Sequence, residues 1–100
     1  KTHYLATDII SDIYEDSHGQ LWVATYYGLV RFNRQTGKFI RYLPDNSDPS
    51  SINHSVITQI TASQRGNLWL GTWGAGINKY VWSNNIFKHF NFPIHNLYRL

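Results

Sequence analysis

The chain has 100 residues, of which 42% are hydrophobic and 16% aromatic, enough apolar mass for one small domain. It contains no cysteine, which excludes disulfides, thiol nucleophiles and thiolate metal sites. The formal net charge is +3, and no two basic residues are adjacent in the sequence, a dispersion that disfavours nucleic-acid binding. No apolar run approaches the roughly 18 residues of a membrane-spanning helix, so we expect membrane contact only through segments outside this chain.

Four short strands are predicted in the first half of the chain, over residues 9–14, 21–25, 29–32 and 39–43. The first has β-branched residues with period-2 alternation, and the second is apolar on both faces, as in a strand packed between two layers. Turns are predicted at residues 16–19, 26–28 and 33–38, and Gly19 can supply a positive φ in the first of them. No window shows a sustained 3.6-residue amphipathic pattern.

The same pattern occurs a second time in the chain. Residues 19–25, which include Trp22 and Thr25, match residues 66–72 with an offset of 47. The match extends backwards through the isoleucines of the first strand and forwards, after one inserted residue, to Phe87 and Phe90. A duplicated unit of four strands, with a period in the forties and a tryptophan in its second strand, is typical of a β-propeller blade.

We therefore predict an all-β fold with two four-stranded antiparallel blades of a β-propeller, a fragment of a larger ring. The blades are placed at residues 9–43 and 56–90, with inter-blade linkers at 1–8 and 44–55 and an unaligned C-terminal tail at 91–100. Two blades cannot close a ring, because natural rings use about four to eight. Trp22 and Trp69, each mid-strand among apolar neighbours, are expected to pack in the core.

The repeat resembles that of the two-component regulator propeller family over residues 5–92. In the first copy the residues that carry the resemblance are Ile10, Ile13, Asp16, Gly19, Leu21, Trp22, Thr25, Gly28, Leu29, Phe32, Phe39 and Tyr42. In the second copy they are Ile57, Ile60, Gly66, Leu68, Trp69, Gly71, Thr72, Gly74, Gly76, Ile77, Tyr80, Phe87 and Phe90. The sequence departs from the family pattern at Ala24, where a glycine is usual, at Ser63, where the turn aspartate is usual, and around Trp82.

This resemblance implies a function that composition and spacing alone do not reach. In the family, such repeats form large periplasmic sensor domains that precede a membrane helix and a histidine kinase, often fused to a response regulator. Many are implied to sense oligosaccharides from polysaccharide breakdown. The resemblance thus implies a periplasmic, ligand-sensing segment of a hybrid two-component protein, with an oligosaccharide or another small ligand as partner. The chain has no initiator Met and no signal peptide, so we expect an internal segment of a longer protein.

One rim of the predicted blades is a candidate ligand-binding surface. In an antiparallel meander the connections alternate between rims, so the turn after the second strand shares a rim with the inter-blade linker. That rim carries Tyr26, Tyr27, Trp73, Asn53 and His54. Sugars stack on aromatic faces while polar edges bond their hydroxyls, and we predict that these five residues bind ligand. The alternative is that the rings pad the contact between blades. The opposite rim is predicted to be more polar and less aromatic.

No catalytic or cofactor site is predicted. Glu15 and Asp16 are adjacent acids, but neighbours on a strand point to opposite faces and cannot act on one bond; Asp16 is expected to form the turn. The five histidines lack metal-ligand spacing, and the glycines at positions 71–76 precede no helix that would bind phosphate. We predict that this segment is not an enzyme and uses no metal or cofactor, and that the kinase implied by the resemblance lies outside it.

Two other functions remain open from the sequence. The first is a small lectin-like module whose two-blade chains oligomerise into a complete propeller and bind glycans. The second is an enzyme, because propellers also host hydrolases and lyases, whose acid–base residues would lie in blades outside this chain. In the isolated chain the two outer blade faces are expected to be apolar and uncovered, and therefore to self-associate.

Overall fold

The computed structural model describes residues 9–91. These residues form two four-stranded antiparallel sheets, and in each sheet the strands lie side by side in chain order. The predicted all-β architecture of two blades is therefore confirmed. The predicted linker at residues 1–8 and all but the first residue of the predicted tail at 91–100 lie outside the described residues.

The strands of the first sheet agree closely with the prediction. Blade 1 consists of β1 (Ile10–Glu15), β2 (Gln20–Thr25), β3 (Gly28–Asn33) and β4 (Phe39–Tyr42). Blade 2 consists of β5 (Ile57–Ala62), β6 (Leu68–Thr72), β7 (Ile77–Val81) and β8 (Ile86–Phe90), with a short 3-10 turn at Gln64–Gly66 between β5 and β6. Each predicted strand of blade 1 differs from the observed one by at most one residue at either end.

Equivalent strands of the two blades have equivalent registers. Trp22 of β2 lies opposite Arg31 of β3, and Trp69 of β6 lies opposite Lys79 of β7. The first strand of each blade also has a register shift near its start. Because side chains alternate between the two sides of a strand, each blade has a tryptophan face, which carries Trp22 or Trp69, and a leucine face, which carries Leu21 or Leu68 and its neighbours.

The core lies between the blades, where the tryptophan face of blade 1 packs on the leucine face of blade 2. The rings of Trp22 and Tyr80 have centroids 4.9 Å apart, and those of Tyr42 and Phe87 are 5.3 Å apart. Ile52 from the linker is buried in the same cluster. The other buried members of the core are Ala24, Leu29, Ile57, Ile60, Leu68 and Leu70. Burial of this apolar surface stabilises the pair of blades, since one blade cannot cover its own faces.

The two equivalent tryptophans differ in burial. Trp22 is fully buried, as predicted, whereas Trp69 is only half-buried. Phe90 packs against the Trp69 ring with centroids 5.6 Å apart, and the Lys79 ammonium lies 5.0 Å from its centroid. The prediction of core packing is incomplete for Trp69, because a blade buries its tryptophan under the leucine face of the following blade and no described sheet follows blade 2.

Polar contacts cross the same interface. The Asp12 carboxylate of β1 accepts a hydrogen bond from the Ile60 amide of β5 at 2.8 Å, which joins the first strands of the two blades. The side-chain oxygen Oδ1 of Asn85 accepts hydrogen bonds from both the Tyr80 hydroxyl at 2.7 Å and the Tyr42 hydroxyl at 3.1 Å. These bonds satisfy polar groups at the edge of the core, where leaving them unpaired would be costly.

Candidate ligand-binding rim

The turn between the second and third strands of each blade is built around a threonine. The Thr25 hydroxyl donates to the Gly28 carbonyl at 2.7 Å and accepts from the Tyr27 amide at 2.9 Å. In blade 2 the Thr72 hydroxyl likewise donates to the Gly76 carbonyl at 2.7 Å and accepts the amide of the residue before Gly76. The threonine therefore fixes the turn that presents the aromatic residues of the rim.

The structure brings Tyr26 and Trp73 together across the boundary between the blades. Both backbones are held alike, because the Tyr26 amide donates to the Ile9 carbonyl at 3.0 Å and the Trp73 amide to the Val56 carbonyl at 3.1 Å. The ring centroids are 6.2 Å apart and the planes meet at 88°. Tyr26 is 40% exposed and Trp73 63% exposed. Two aromatic rings at right angles thus form an open corner on the rim.

Tyr27 lies on the same rim but contacts a different group. The Arg41 guanidinium lies 5.0 Å from the centroid of the Tyr27 ring and donates to the Tyr27 carbonyl at 2.7 Å. The ring remains largely exposed. Tyr27 is therefore an exposed aromatic residue whose ring makes a cation–π contact with Arg41.

Asn53 and His54 attach the linker to blade 2. The side-chain oxygen of Asn53 accepts from the side-chain nitrogen of Asn78 at 2.8 Å, and the backbone amide of Asn53 donates to the side-chain oxygen of Asn78 at 3.0 Å. The side-chain nitrogen of Asn53 donates to the Ala75 carbonyl at 3.2 Å. His54 Nδ1 accepts from the Val56 amide at 2.9 Å, so in the neutral ring Nε2 carries the proton. Both residues lie at the predicted rim, with Asn53 engaged in a reciprocal pair with the buried Asn78.

The acidic part of the linker is held by its own serines. The Asp45 carboxylate accepts from the Ser47 amide at 3.0 Å and from the Ser47 hydroxyl at 2.7 Å. These hydrogen bonds to Ser47 lower the pKa of the Asp45 carboxyl below its usual value. Asp48 accepts similarly from the Ser50 amide at 2.9 Å. The linker thus adds negative charge to the rim at neutral pH.

The opposite rim, predicted to be more polar and less aromatic, contains an aromatic stack that the sequence pattern did not predict. Trp82 stacks on His18 with centroids 4.4 Å apart and planes 8° from parallel. The Arg31 guanidinium lies 5.5 Å from the Trp82 centroid and 5.5 Å from the Trp22 centroid, and it donates to the Tyr80 hydroxyl at 3.2 Å. The repeated cross-strand placement of a cation opposite the tryptophan is the sequence signal that could have located Arg31.

Over residues 9–91, no group of three or more histidine or carboxylate side chains is placed to hold a metal ion. Within the same range, no helix is long and apolar enough to cross a membrane. The adjacent acids Glu15 and Asp16 have different partners: Glu15 forms an ion pair with Arg34, while Asp16 accepts from the Trp22 indole at 2.9 Å.

The family model of the two component regulator propeller matches residues 4–27 and 51–74. The chain belongs to the two component regulator propeller family. The two matched segments of the propeller repeat each end in the rim turn, the first at Tyr27 and the second at Gly74. The resemblance stated from the sequence is therefore confirmed. No curated protein matches the chain.

Solved structures of two extracellular domains are similar to this two component regulator propeller chain. One is the extracellular domain assigned to the hybrid two component system BT3049 from B. thetaiotaomicron, with 29% identity, a TM-score of 0.77 and 82% of this chain covered. Another is the extracellular domain assigned to the one component system BT4673 from the same organism, with 26% identity, a TM-score of 0.66 and 84% covered. In each case the chain spans 12% of the length of the solved structure.

Proposed function

We propose that this chain is a segment of an extracellular sensor propeller of a two-component signalling protein, and that its aromatic rim takes part in binding an oligosaccharide. The similar solved structures support the sensor assignment, because one is the extracellular domain of a hybrid two component system and the other that of a one component system. The same likeness supports an extracellular or periplasmic location. On this proposal the segment binds and does not catalyse, and a histidine kinase elsewhere in the protein converts binding into a signal.

The observation that carries the proposal is the exposed corner formed by Tyr26 and Trp73. The two residues occupy equivalent turn positions in adjacent blades, and their rings meet edge to face at 6.2 Å. A buried aromatic pair would serve packing, but here Trp73 is more than half exposed. Exposed aromatic faces on a rigid scaffold offer the apolar face of a pyranose ring a stacking partner.

Polar groups beside this corner supply the hydrogen bonds that sugar hydroxyls require. His54 Nε2 is the protonated nitrogen of the neutral ring, since Nδ1 accepts from the Val56 amide. Asn53 is expected to contribute mainly by holding the linker in place, because its side-chain oxygen and nitrogen already bond to Asn78 and Ala75. Tyr27 is expected to extend the aromatic surface on blade 1.

The test is binding of a panel of neutral and uronate-containing oligosaccharides, measured by isothermal titration calorimetry on the intact sensor domain. Tyr26→Ala and Trp73→Ala should each weaken the affinity for the saccharide that binds by about twofold to tenfold, because an aromatic stacking contact contributes about 0.5–1.5 kcal/mol beyond its area burial. Ile40→Ala is the matched control, since Ile40 pairs with Arg31 in the middle of blade 1, away from this rim, and is 48% exposed on the face that blade 2 already covers.

The possible outcomes test the location of the binding site and the class of ligand separately. Unchanged affinity in both rim variants, with a saccharide still bound by the parent, would place the binding site elsewhere in the propeller. Binding of no saccharide by the parent would contradict the ligand class. Equal losses in the Ile40→Ala control would show that the rim variants act through stability instead of contact.

A further inference from the structure

A cavity of about 410 Å³ opens on blade 1 beside the turn between β3 and β4, at the rim opposite the aromatic one. A cavity of this size holds a monosaccharide or a small organic acid. Arg31 lines it from the tryptophan face of blade 1, on which blade 2 packs, so the cavity lies at the interface between two blades of this chain. The other polar residues that line it are Gln20, Asn33, Thr36 and Lys38.

The positive charge of Arg31 has only neutral partners among residues 9–91. The guanidinium lies 5.5 Å from the ring centroids of Trp22 and of Trp82. Its Nη1 donates to the Tyr80 hydroxyl at 3.2 Å and to the Tyr42 hydroxyl at 3.4 Å, and no carboxylate of the same residues forms an ion pair with it. Arg31 is half-buried, so its charge is partly shielded from water and attracts an anion more strongly than a fully exposed charge would.

One edge of the Arg31 guanidinium is left to bind a ligand. Nη1 forms the hydrogen bonds to the tyrosines, whereas Nε and Nη2 form none with the part of the chain that the structure describes, and neither atom is buried. Nε and Nη2 lie on the same side of the planar group, at a spacing that matches the two oxygens of a carboxylate. The geometry therefore leaves a paired donor for a carboxylate.

The other polar groups that line the cavity are left as hydrogen-bond donors. The Asn33 side-chain oxygen accepts from the amides of Gln35 and Thr36 at 2.9 and 3.2 Å, which leaves its side-chain nitrogen to donate. The Thr36 hydroxyl oxygen accepts from the Lys38 amide at 3.3 Å and keeps its own proton to donate. The Lys38 side chain is exposed. Among the described residues, no aspartate or glutamate lines the cavity, so donors and positive charge dominate it.

We propose that this cavity binds the carboxylate of a small organic acid or of a uronate residue, at a site separate from the aromatic rim. The carboxylate lies side-on against Nε and Nη2 of Arg31, with the Lys38 ammonium beside it. A singly charged, planar anion fits better than phosphate, because a dianion loses more hydration on meeting a half-buried group. The acidic linker that carries Asp45 and Asp48 lies at the aromatic rim, so it does not compete for these cations.

Isothermal titration calorimetry of the intact sensor domain tests the ligand class. Glucuronate should bind at least about tenfold more tightly than glucuronamide, which has the same shape without the charge. Cyclohexanecarboxylate identifies the source of the carboxylate: its binding assigns the cavity to free acids, and binding of glucuronate without it assigns the cavity to uronates. Binding of neither carboxylate would overturn the proposal, and so would equal affinity for glucuronate and glucuronamide, or tighter binding of inorganic phosphate.

Charge-removing variants locate the site, with the carboxylate that binds as the probe. Arg31→Gln should weaken its affinity by about tenfold to a hundredfold, because two hydrogen bonds to a charged group are lost. Lys38→Gln should weaken it by about twofold to fivefold, since Lys38 is exposed. Arg65→Gln is the matched control, because Arg65 is an exposed cation at the blade 2 turn of the same rim and does not line the cavity. Equal losses in all three variants, or none in Arg31→Gln and Lys38→Gln, would overturn the proposal.

Two further measurements separate binding from folding and this site from the aromatic rim. Arg31 also packs between indole rings, so circular dichroism and urea unfolding of Arg31→Gln must match the parent. Lys38→Gln carries the test alone if they do not, because the Lys38 side chain forms no hydrogen bond or ion pair with residues 9–91. A neutral oligosaccharide bound at the aromatic rim should keep its affinity in Lys38→Gln. Loss of carboxylate and neutral saccharide together in that variant would overturn the separate site, whereas a parent that binds carboxylate but no neutral saccharide would contradict the aromatic rim alone.

Discussion

The Trp22 indole donates a hydrogen bond to the Asp16 carboxylate at 2.9 Å, which joins the buried centre of blade 1 to the turn between its first two strands. The other carboxylate oxygen accepts from the amides of His18 and Gln20, both at 2.9 Å. Asp16 thus organises the turn and satisfies the one polar atom of the buried tryptophan. Blade 2 has Ser63 at the equivalent position, and its turn differs.

We expect Asp16→Ala to lower the free energy of unfolding by about 2–3 kcal/mol, because it removes three hydrogen bonds to a charged acceptor and leaves the Trp22 indole nitrogen unpaired. Urea denaturation followed by tryptophan fluorescence measures this loss. Asp16→Asn should lose less, since its amide oxygen can still accept from the His18 and Gln20 amides. Equal stability of Asp16→Ala and the parent would show that the carboxylate is dispensable.

Arg65→Asn should stabilise the chain by about 0.5–1 kcal/mol. Without an aspartate at position 63, the blade 2 turn closes by a hydrogen bond from the Asn67 amide to the Gln64 carbonyl at 3.1 Å, and Arg65 has a φ of 60°. Asparagine before glycine is the residue that this conformation favours. Thermal unfolding tests the gain. Gln64→Asn, a neighbouring change without positive φ, is the control, and a gain there of equal size would argue against the backbone explanation.

Gly28→Ala should destabilise the chain far more than Gly74→Ala, although both glycines have a positive φ. A Cβ at Gly28 would lie 2.5 Å from the Tyr42 carbonyl oxygen, whereas one at Gly74 would meet nothing within 4 Å. We expect a loss of about 2–5 kcal/mol at Gly28, from conformation and overpacking together, and about 1–2 kcal/mol at Gly74. Denaturant midpoints give the comparison. Similar losses at both positions would mean that conformation alone matters.

The stability of the chain should fall between pH 10 and pH 12 because of Tyr42. Burial, reinforced by the neighbouring Tyr80, raises the pKa of Tyr42 from 10.0 to about 12. The folded state therefore holds this proton more tightly than the unfolded state, so the stabilisation is complete below pH 10 and is lost as the pH rises to about 12. Urea unfolding across this range should show a shallower decline in Tyr42→Phe. The same decline in variant and parent would assign the pH dependence to other groups.

Local sequence features predicted the blades well. Strand positions followed from alternation of apolar residues, and the turns followed from Asp16, Gly19 and the glycines of the rim, because these preferences act over a few residues. The repeat then predicted the architecture, since a unit that appears twice must fold twice in the same way. The Tyr26 and Trp73 positions on one rim also followed from the alternation of connections in a meander.

The contacts between the blades could not be predicted in this way. Nothing in the local sequence distinguishes Trp22 from Trp69, yet one is fully buried and the other half-buried. The edge-to-face meeting of Tyr26 with Trp73 and the placing of the Arg31 guanidinium between two indole rings likewise depend on how one sheet lies on the next.

The sequence by itself determined that this protein is built of four-stranded propeller blades, and it determined which residues stand at each rim. Only the tertiary structure decided which tryptophan is covered, which rim residues touch, and that Asn53 is bonded to Asn78. The physical reason is the distance along the chain over which each interaction acts. Hydrogen bonding and side-chain alternation along a strand are local, whereas packing of sheet on sheet joins distant residues such as Trp22 and Tyr80, 58 positions apart in the sequence, and leaves no local pattern in the sequence.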